Sequence, residues 1–97
     1  MVRNIYLVAY DVADPKRLYQ VHKRMRGFGD PLQFSVFICL LSPRELALLY
    51  EKMDGEIKKT EDRLMVVNLG PEEGNAEDRI TFVGLKRELP TRRSIVV

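Results

Sequence analysis

The sequence has little that would support secretion, membrane insertion or metal binding by cysteine. It contains one cysteine, Cys39, among 97 residues, so neither an intrachain disulfide nor a cysteine-based zinc site can form. The longest near-continuous apolar stretch, from Phe34 to Leu41, is far shorter than the roughly 20 residues that span a bilayer. No secretory hydrophobic region follows Met1. We therefore expect a soluble, cytoplasmic protein in which Cys39 is a buried, unreactive thiol.

Two kinds of active site also lack the residues that they need. The only histidine, His22, falls in a charged helical segment, where we expect an exposed structural role. Ser35 therefore has no activating base, which argues against a serine-hydrolase triad. The chain has no glycine-rich phosphate loop, so a small-molecule sensor has no ligand signature to support it.

The composition is that of a folded protein with unevenly placed charge. Hydrophobic residues make up 45% of the chain and charged residues 31%, which is enough for one core inside a solvated shell. The length predicts a single domain, residues 1–97. The net charge is only +2, but residues 16–26 contain five basic side chains and no acid. These are Lys16, Arg17, Lys23, Arg24 and Arg26.

The first half of the chain predicts a strand, a helix and a second strand. Ile5–Val12 is rich in branched and aromatic residues, as buried strands are. Asp14 is placed as a helix N-cap, Pro15 fits the first helical position, and glycines at 27 and 29 indicate the helix end. The alternating segment Leu32–Leu41 predicts one continuous strand.

The second half predicts a second helix followed by two strands. Residues 42–45, Ser-Pro-Arg-Glu, have the spacing of a capping box, so the helix should begin at Pro43. Further strands are predicted at Arg63–Leu69 and Ile80–Lys86, joined by a loop. The apolar tail Ser94–Val97 is either an edge strand or a frayed end.

These elements predict an α+β fold with a four-stranded antiparallel sheet and two helices on one face. The predicted order is β-α-β-α-β-β, and Phe37, Cys39 and Leu41 are expected on the face without helices. An open antiparallel face is normally polar, so an apolar row there predicts that a second copy of the chain covers it. The sequence therefore predicts a homodimer.

Asp11 is the candidate centre for chemistry because it closes the first strand. One interpretation makes it a turn acid before Pro15, although Asp14 already supplies the cap. In the other, a two-fold axis through the open sheet face brings two copies of Asp11 together. Two carboxylates could then hold one Mg²⁺, and such an ion can activate water for phosphodiester hydrolysis.

The basic segment on helix one is the candidate nucleic-acid surface. Arg17 and Arg24 lie seven residues apart on one flank of the helix, and Lys16 and Lys23 share the opposite flank. An ordinary solvated helix face is the alternative interpretation. The lack of intervening acids favours contacts to phosphates.

Four short motifs stand out when they are taken together: Tyr10-Asp11-Val12, Asp14-Pro15-Lys16-Arg17, Gly27-Phe28-Gly29 and Gln33-Phe34-Ser35-Val36-Phe37. This set resembles the CRISPR-associated protein 2 family, the small nuclease subunit of the CRISPR adaptation complex. The resemblance implies a ferredoxin-like fold, and a symmetric dimer whose short C-terminal strand pairs with the partner's sheet. It also implies spacer acquisition beside the CRISPR integrase subunit, and metal-dependent endonuclease activity.

Carried over by position, the resemblance assigns roles to individual residues. Asp11 would be the metal-binding carboxylate, with Tyr10, Ser35 and Phe37 around it and Arg17 near the phosphates. The chain departs from many members in two places: Asp30-Pro31-Leu32 stands where they carry a basic residue, and Phe34 replaces a frequent tyrosine. These departures bear on the cleavage rate and the substrate preference.

Two functions therefore remain open from the sequence. The first is a magnesium-dependent endonuclease that acts on RNA or duplex DNA during CRISPR adaptation. The second is a non-catalytic homodimeric scaffold that binds duplex DNA through its basic helices and holds the integrase, with Asp11 only structural.

Overall fold

The chain alternates strands and helices, and the strands form one antiparallel sheet. The computed structural model describes residues 2–74 and 76–85. The elements are β1 (Asn4–Asp11), α1 (Pro15–Met25), β2 (Gly29–Gln33), β3 (Val36–Leu41), α2 (Pro43–Glu56), β4 (Arg63–Pro71) and a 3-10 helix (Ala76–Arg79). The strands lie in the order β2-β3-β1-β4. This βαββαβ arrangement confirms the predicted ferredoxin-like α+β fold with a four-stranded sheet.

Both helices begin where local chemistry predicted. The Asp14 carboxylate accepts a hydrogen bond from the backbone N–H of Arg17 at 2.9 Å, so Asp14 is the N-cap of α1. Ser42 and Glu45 form a reciprocal capping box at the start of α2, with bonds of 2.8 and 3.2 Å. Neither helix in the described part of the chain is long and apolar enough to cross a membrane.

The segment predicted as one strand, Leu32–Leu41, is a hairpin. A two-residue turn at Phe34 and Ser35 separates β2 from β3, and β2 begins three residues earlier than predicted, at Gly29. The turn has no glycine or asparagine to mark it, and the apolar alternation continues across it. Pro31 is tolerated because β2 pairs with β3 and lies at an edge of the sheet.

The strand predicted at Ile80–Lys86 is wrong for the residues that the structure describes. Residues 80–82 have no regular secondary structure and residues 83–85 form a bend; Val83 and Leu85 are almost fully exposed, and Gly84 has a φ of +98°. This left-handed conformation interrupts the extended backbone that a strand needs. The fourth strand of the sheet is instead supplied by the β2–β3 hairpin. Lys86 and the tail Ser94–Val97 lie outside the described residues.

The core lies between the helices and the sheet face that was expected to be open. Phe37, Cys39 and Leu41 are buried there, so the prediction that they face away from the helices is wrong. Burial raises the pKa of the Cys39 thiol to about 12, which agrees with the predicted inert thiol. The other buried members of this core are Tyr6, Val8, Tyr10, Val12, Val21, Met25, Leu49 and Met53.

The sheet face opposite the helices is also apolar, but through other residues. Cross-strand pairing places Ile5 beside Leu40 and Leu7 beside Ile38 on that face. From β4, Val67 lies opposite Leu7 and Met65 opposite Ala9, and the two are 37% and 54% exposed. We call this surface the open face, and define it by Ile5, Leu7, Ala9, Ile38, Leu40, Met65 and Val67; of these, Ile38 and Leu40 are themselves buried, and Met65 and Val67 are exposed.

Candidate metal and nucleic-acid site

Asp11 lies at the end of β1 on the side of the open face. Side chains alternate along a strand, and Tyr6, Val8 and Tyr10 point into the core, so Asp11 lies on the opposite side with Leu7 and Ala9. Its side chain is exposed. Among the described residues no hydrogen bond or ion pair engages its carboxylate. Asp11 is therefore free to bind a cation from solvent or to face a second copy of the chain.

Tyr10 and Phe37 lie on the other side of the sheet, inside the core. The rings of Tyr10 and Phe37 stack with centroids 6.2 Å apart, and the Tyr10 hydroxyl forms a 2.9 Å hydrogen bond with His22 Nδ1. Burial raises the pKa of Tyr10. The structure thus does not bring these two predicted site residues together with Asp11. They pack β1 against α1.

His22 is part of that packing, so the prediction that it is exposed is wrong. Its ring meets Phe37 edge-on, with centroids 5.3 Å apart, and it is half-buried. The charged neighbours in sequence gave no hint of this because His22 follows the core residue Val21 on α1 and contacts β1 and β3. The contacts that the structure gives His22 are with Tyr10 and Phe37 and not with Ser35.

Ser35 lies at the end of the sheet where β1 ends. The backbone N–H of Tyr10 donates to the Ser35 carbonyl at 3.0 Å, so the β2–β3 turn lies beside the last residues of β1. Ser35 itself is half-buried, and its neighbour Phe34 is 80% exposed. Of the predicted site residues, Ser35 and Asp11 are therefore at the same end of the sheet.

Arg17 is engaged by two acids of the chain itself. Its Nε donates to Asp62 Oδ2 at 2.9 Å, and its terminal nitrogen donates to Asp62 Oδ1 at 3.1 Å and to Glu61 Oε1 at 3.0 Å. The Arg17 guanidinium holds the pKa of Asp62 well below its usual range. Arg17 would have to leave these partners to contact a phosphate, because its charge is largely neutralised within the fold.

Asp62 is a buried hub that sequence reasoning missed. Besides Arg17, its carboxylate accepts hydrogen bonds from the backbone N–H groups of Ala13 at 2.9 Å and Lys58 at 2.8 Å. It thereby ties the loop that follows Asp11 to the loop that precedes β4. The role of Asp62 can be inferred only once the sheet topology is known. Since β1 and β4 are antiparallel neighbours, the end of β1 meets the start of β4.

The remaining predicted phosphate-binding residues divide into paired and unpaired. Arg24 donates from Nε to Glu56 Oε1 at 3.0 Å, although half of its side chain is exposed. Lys16 and Lys23 are exposed, and no acid in the described part of the chain pairs with either. The positive surface of α1 is therefore weaker than the sequence suggested, and the two lysines dominate it.

Asp11 is the residue predicted to bind a divalent metal ion. A carboxylate oxygen is the donor that Mg²⁺ prefers, and this one is exposed and unpaired among the described residues. Within those residues no group of three acids, histidines or cysteines is close enough to hold a metal. Further ligands would have to come from a second copy of the chain, from water or from the substrate.

The family model and the similar proteins point to the same family. The family described as "CRISPR associated protein Cas2" matches residues 4–84. The chain is 40% identical over 87 residues to the CRISPR-associated endoribonuclease Cas2 of Thermus thermophilus, covering 89% of this chain and 93% of that one. It is 34% identical over 92 residues to the CRISPR-associated endoribonuclease Cas2 1 of Rhodospirillum rubrum, covering 95% and 89%.

Solved structures agree with this result. The crystal structure of Streptococcus pyogenes Cas2 superposes with a TM-score of 0.74 at 30% identity, covering 82% of this chain and 99% of that one. A hypothetical protein, TT1823 from Thermus thermophilus, gives a TM-score of 0.72 at 26% identity, covering 86% and 93%.

Proposed function

Because the chain belongs to the Cas2 family of CRISPR-associated proteins, we propose that it is a homodimeric, metal-dependent endonuclease acting in CRISPR spacer acquisition. Several relatives carry the name endoribonuclease, which supports cleavage of phosphodiester bonds. The observation that carries the proposal is the exposed carboxylate of Asp11 at the end of β1, which no other described residue engages. An exposed acid in this position is suited to bind a cation that faces a polyanion.

The open face is the surface through which we expect the dimer to form. Asp11 ends the same row of β1 as Ile5, Leu7 and Ala9, and this row is apolar on a face that neither helix covers. Apolar faces of this kind are usually buried by a partner. If two open faces pack about a two-fold axis, the two copies of Asp11 approach each other at the edge of the interface.

In this proposal each residue of the site has a limited task. The two Asp11 carboxylates would hold a divalent cation, which when bound would lower the pKa of a water and neutralise charge on the phosphate. Asp62 and Arg17 fix the loop after β1, and so hold the Asp11 backbone in place. Tyr10 and Phe37 position β1 from inside the core without touching substrate. Lys16 and Lys23 attract the nucleic acid.

The test is a Mg²⁺ titration of cleavage on RNA and on duplex DNA with the wild-type protein, Asp11→Ala and Asp54→Ala. Asp54 is an exposed acid on α2 and serves as the matched control. Asp11→Ala should lower the rate at least about 100-fold, since a catalytic metal contributes several kcal/mol to the transition state. Asp54→Ala should cleave like the wild type. Cleavage by Asp11→Ala at the wild-type rate would exclude the metal-carboxylate mechanism.

The second candidate is a non-catalytic scaffold that binds duplex DNA and the CRISPR integrase subunit. The observation in its favour is that, among the described residues, Lys16 and Lys23 pair with no acid and no group of three acids, histidines or cysteines could hold a metal. Spacer acquisition in cells that carry Asp11→Ala separates the two roles. Acquisition at the wild-type frequency would show that cleavage is dispensable for the biological function, and loss of acquisition would support a catalytic contribution.

A further inference from the structure

Arg63 is the direct cross-strand neighbour of Asp11. Arg63 is the first residue of β4, and pairing between β1 and β4 places its Cα opposite that of Asp11. Residues that oppose each other in an antiparallel pair project from the same face, with Cβ atoms about 5 Å apart. Arg63 therefore lies on the same side of the sheet as Asp11, and it is also exposed.

The two opposed charges do not form an ion pair. Within the described chain, no acid contacts the Arg63 guanidinium, whereas Arg17 and Arg24 are each bound to carboxylates. The exposed guanidinium and the exposed carboxylate are thus both available to one ligand. Its anionic oxygen would contact Arg63, and a cation bound to it would contact Asp11. A phosphodiester has this character, and the planar fork of arginine matches two phosphate oxygens.

We infer that Arg63 is a phosphate-binding residue of the nuclease site and contacts the phosphodiester that lies against Asp11. This inference rests on the proposed function, and it adds a phosphate-binding residue that lies outside the basic helix α1. It also moves the phosphate-binding surface from the flank of α1 to the end of the β1–β4 pair. Arg17, committed to Asp62 and Glu61, would then support the loop while Arg63 meets the substrate.

The position of Arg63 implies opposite effects on two ligands. A positive charge beside Asp11 disfavours a bound cation and favours a bound phosphate. Removal of that charge should therefore weaken nucleic-acid binding and leave the Mg²⁺ requirement equal or lower. An arginine that merely neutralised Asp11 would change the Mg²⁺ requirement without changing nucleic-acid binding.

The experiment measures binding of a fluorescent oligonucleotide by anisotropy in the absence of divalent ions, as a function of salt. The variants are Arg63→Gln, Arg63→Lys and the control Arg44→Gln, an exposed arginine on α2 at the opposite end of the sheet. Arg63→Gln should raise Kd about 10-fold and reduce the salt slope by about one phosphate contact. Arg63→Lys should recover part of the loss, and Arg44→Gln should remain within about twofold of wild type.

Cleavage assays then separate this inference from the proposed function. If Asp11→Ala abolishes cleavage while Arg63→Gln binds and cleaves like Arg44→Gln, the nuclease stands and the role of Arg63 is overturned. If the wild type shows no divalent-dependent cleavage while Arg63→Gln still loses affinity, the nuclease proposal fails and Arg63 remains a phosphate contact. Thermal unfolding of each variant shows whether an effect comes from loss of the fold.

Discussion

At the scale of single residues, Asp62 is the side chain on which the site's geometry most depends. Its buried carboxylate accepts four hydrogen bonds, from Ala13, Lys58 and twice from Arg17, with donor distances between 2.8 and 3.1 Å. Asp62→Asn keeps the shape but turns one acceptor into a donor that faces other donors. We expect a clear loss of thermal stability, measured by circular dichroism. Asp54 is an exposed acid that pairs with Lys59, so Asp54→Asn should unfold like the wild type.

The effect of Asp62 should also depend on pH. Its pKa is lowered in the folded state, so its carboxylate stabilises the fold above the usual pKa of about 4, and this contribution disappears as the pH falls towards the lowered value. The stability difference between wild type and Asp62→Asn should thus be constant near neutral pH and shrink below about pH 4. Urea unfolding at several pH values measures it. A difference that grows on acidification would contradict this assignment.

Residue roles were predictable where the partner lies nearby in sequence. Asp14 and Ser42 cap their helices through atoms three residues away, so the spacing alone identified them. Asp62 and His22 have partners that are 45 and 12 residues away, and nothing in their neighbourhood indicates those contacts. Arg17 was placed on the correct helix, but its acidic partners could only be seen in the folded chain.

At the scale of elements, the β2–β3 hairpin is the feature that sequence reasoning did not find. Apolar alternation continues through Phe34 and Ser35, and the usual turn residues are absent, so the pattern is that of one long strand. The two helices were predicted well because caps and proline mark their starts. The first strand was predicted well because it is rich in branched and aromatic residues. The hairpin matters for the site because its turn lies beside the end of β1.

Gly29 is the residue that lets β2 approach β3. A Cβ at this position would lie 2.3 Å from the Ile38 carbonyl oxygen and 2.6 Å from Cys39 Sγ. Gly29→Ala should therefore destabilise the protein by about 1–3 kcal/mol, because the strand must move away. In α2, a Cβ at Gly55 meets nothing within 4 Å, so Gly55→Ala should stabilise by about 0.5–1 kcal/mol.

Chemical denaturation of the two glycine variants checks both signs in one experiment. Each substitution adds a single methyl group, so the pair is matched in chemistry and differs only in surroundings. If Gly29→Ala were as stable as the wild type, the close approach of β2 to β3 would be wrong. Loss of stability in Gly55→Ala would instead place a neighbour against the last turn of α2.

At the scale of the whole molecule, the fold class was predicted correctly although the hairpin was not. The residues of β3, however, were assigned to the wrong faces of the sheet. Phe37, Cys39 and Leu41 alternate with Ile38 and Leu40, so a change of face exchanges the two sets. Both sets are apolar, and the sequence had no polar row to decide between them. The face away from the helices is apolar, but its residues are Ile5, Leu7, Ala9, Ile38 and Leu40 and not those predicted, and Ile38 and Leu40 are buried.

The homodimer stays a prediction, and the open face defines the substitution that tests it. Met65 is 54% exposed on that face, and Leu48 is 46% exposed on α2, on the helical side of the sheet. Sedimentation should show a dimer for the wild type at micromolar concentration. Met65→Lys should raise the dimer dissociation constant at least about 10-fold, since burial of an unpaired charge in an apolar interface costs more than 1.4 kcal/mol. Leu48→Lys should leave it unchanged.

The same two variants connect the assembly with the chemistry. If the metal requires both copies of Asp11, cleavage by Met65→Lys should fall at low protein concentration and recover as the concentration passes the raised dissociation constant. Cleavage by Leu48→Lys should not depend on concentration over that range. A fully active Met65→Lys monomer would mean that one Asp11 suffices. Met65 lies opposite Ala9, two residues from Asp11 in cross-strand register. A dimer that dissociates in Leu48→Lys but not in Met65→Lys would move the interface to the helices and leave each Asp11 on an outer surface of the assembly.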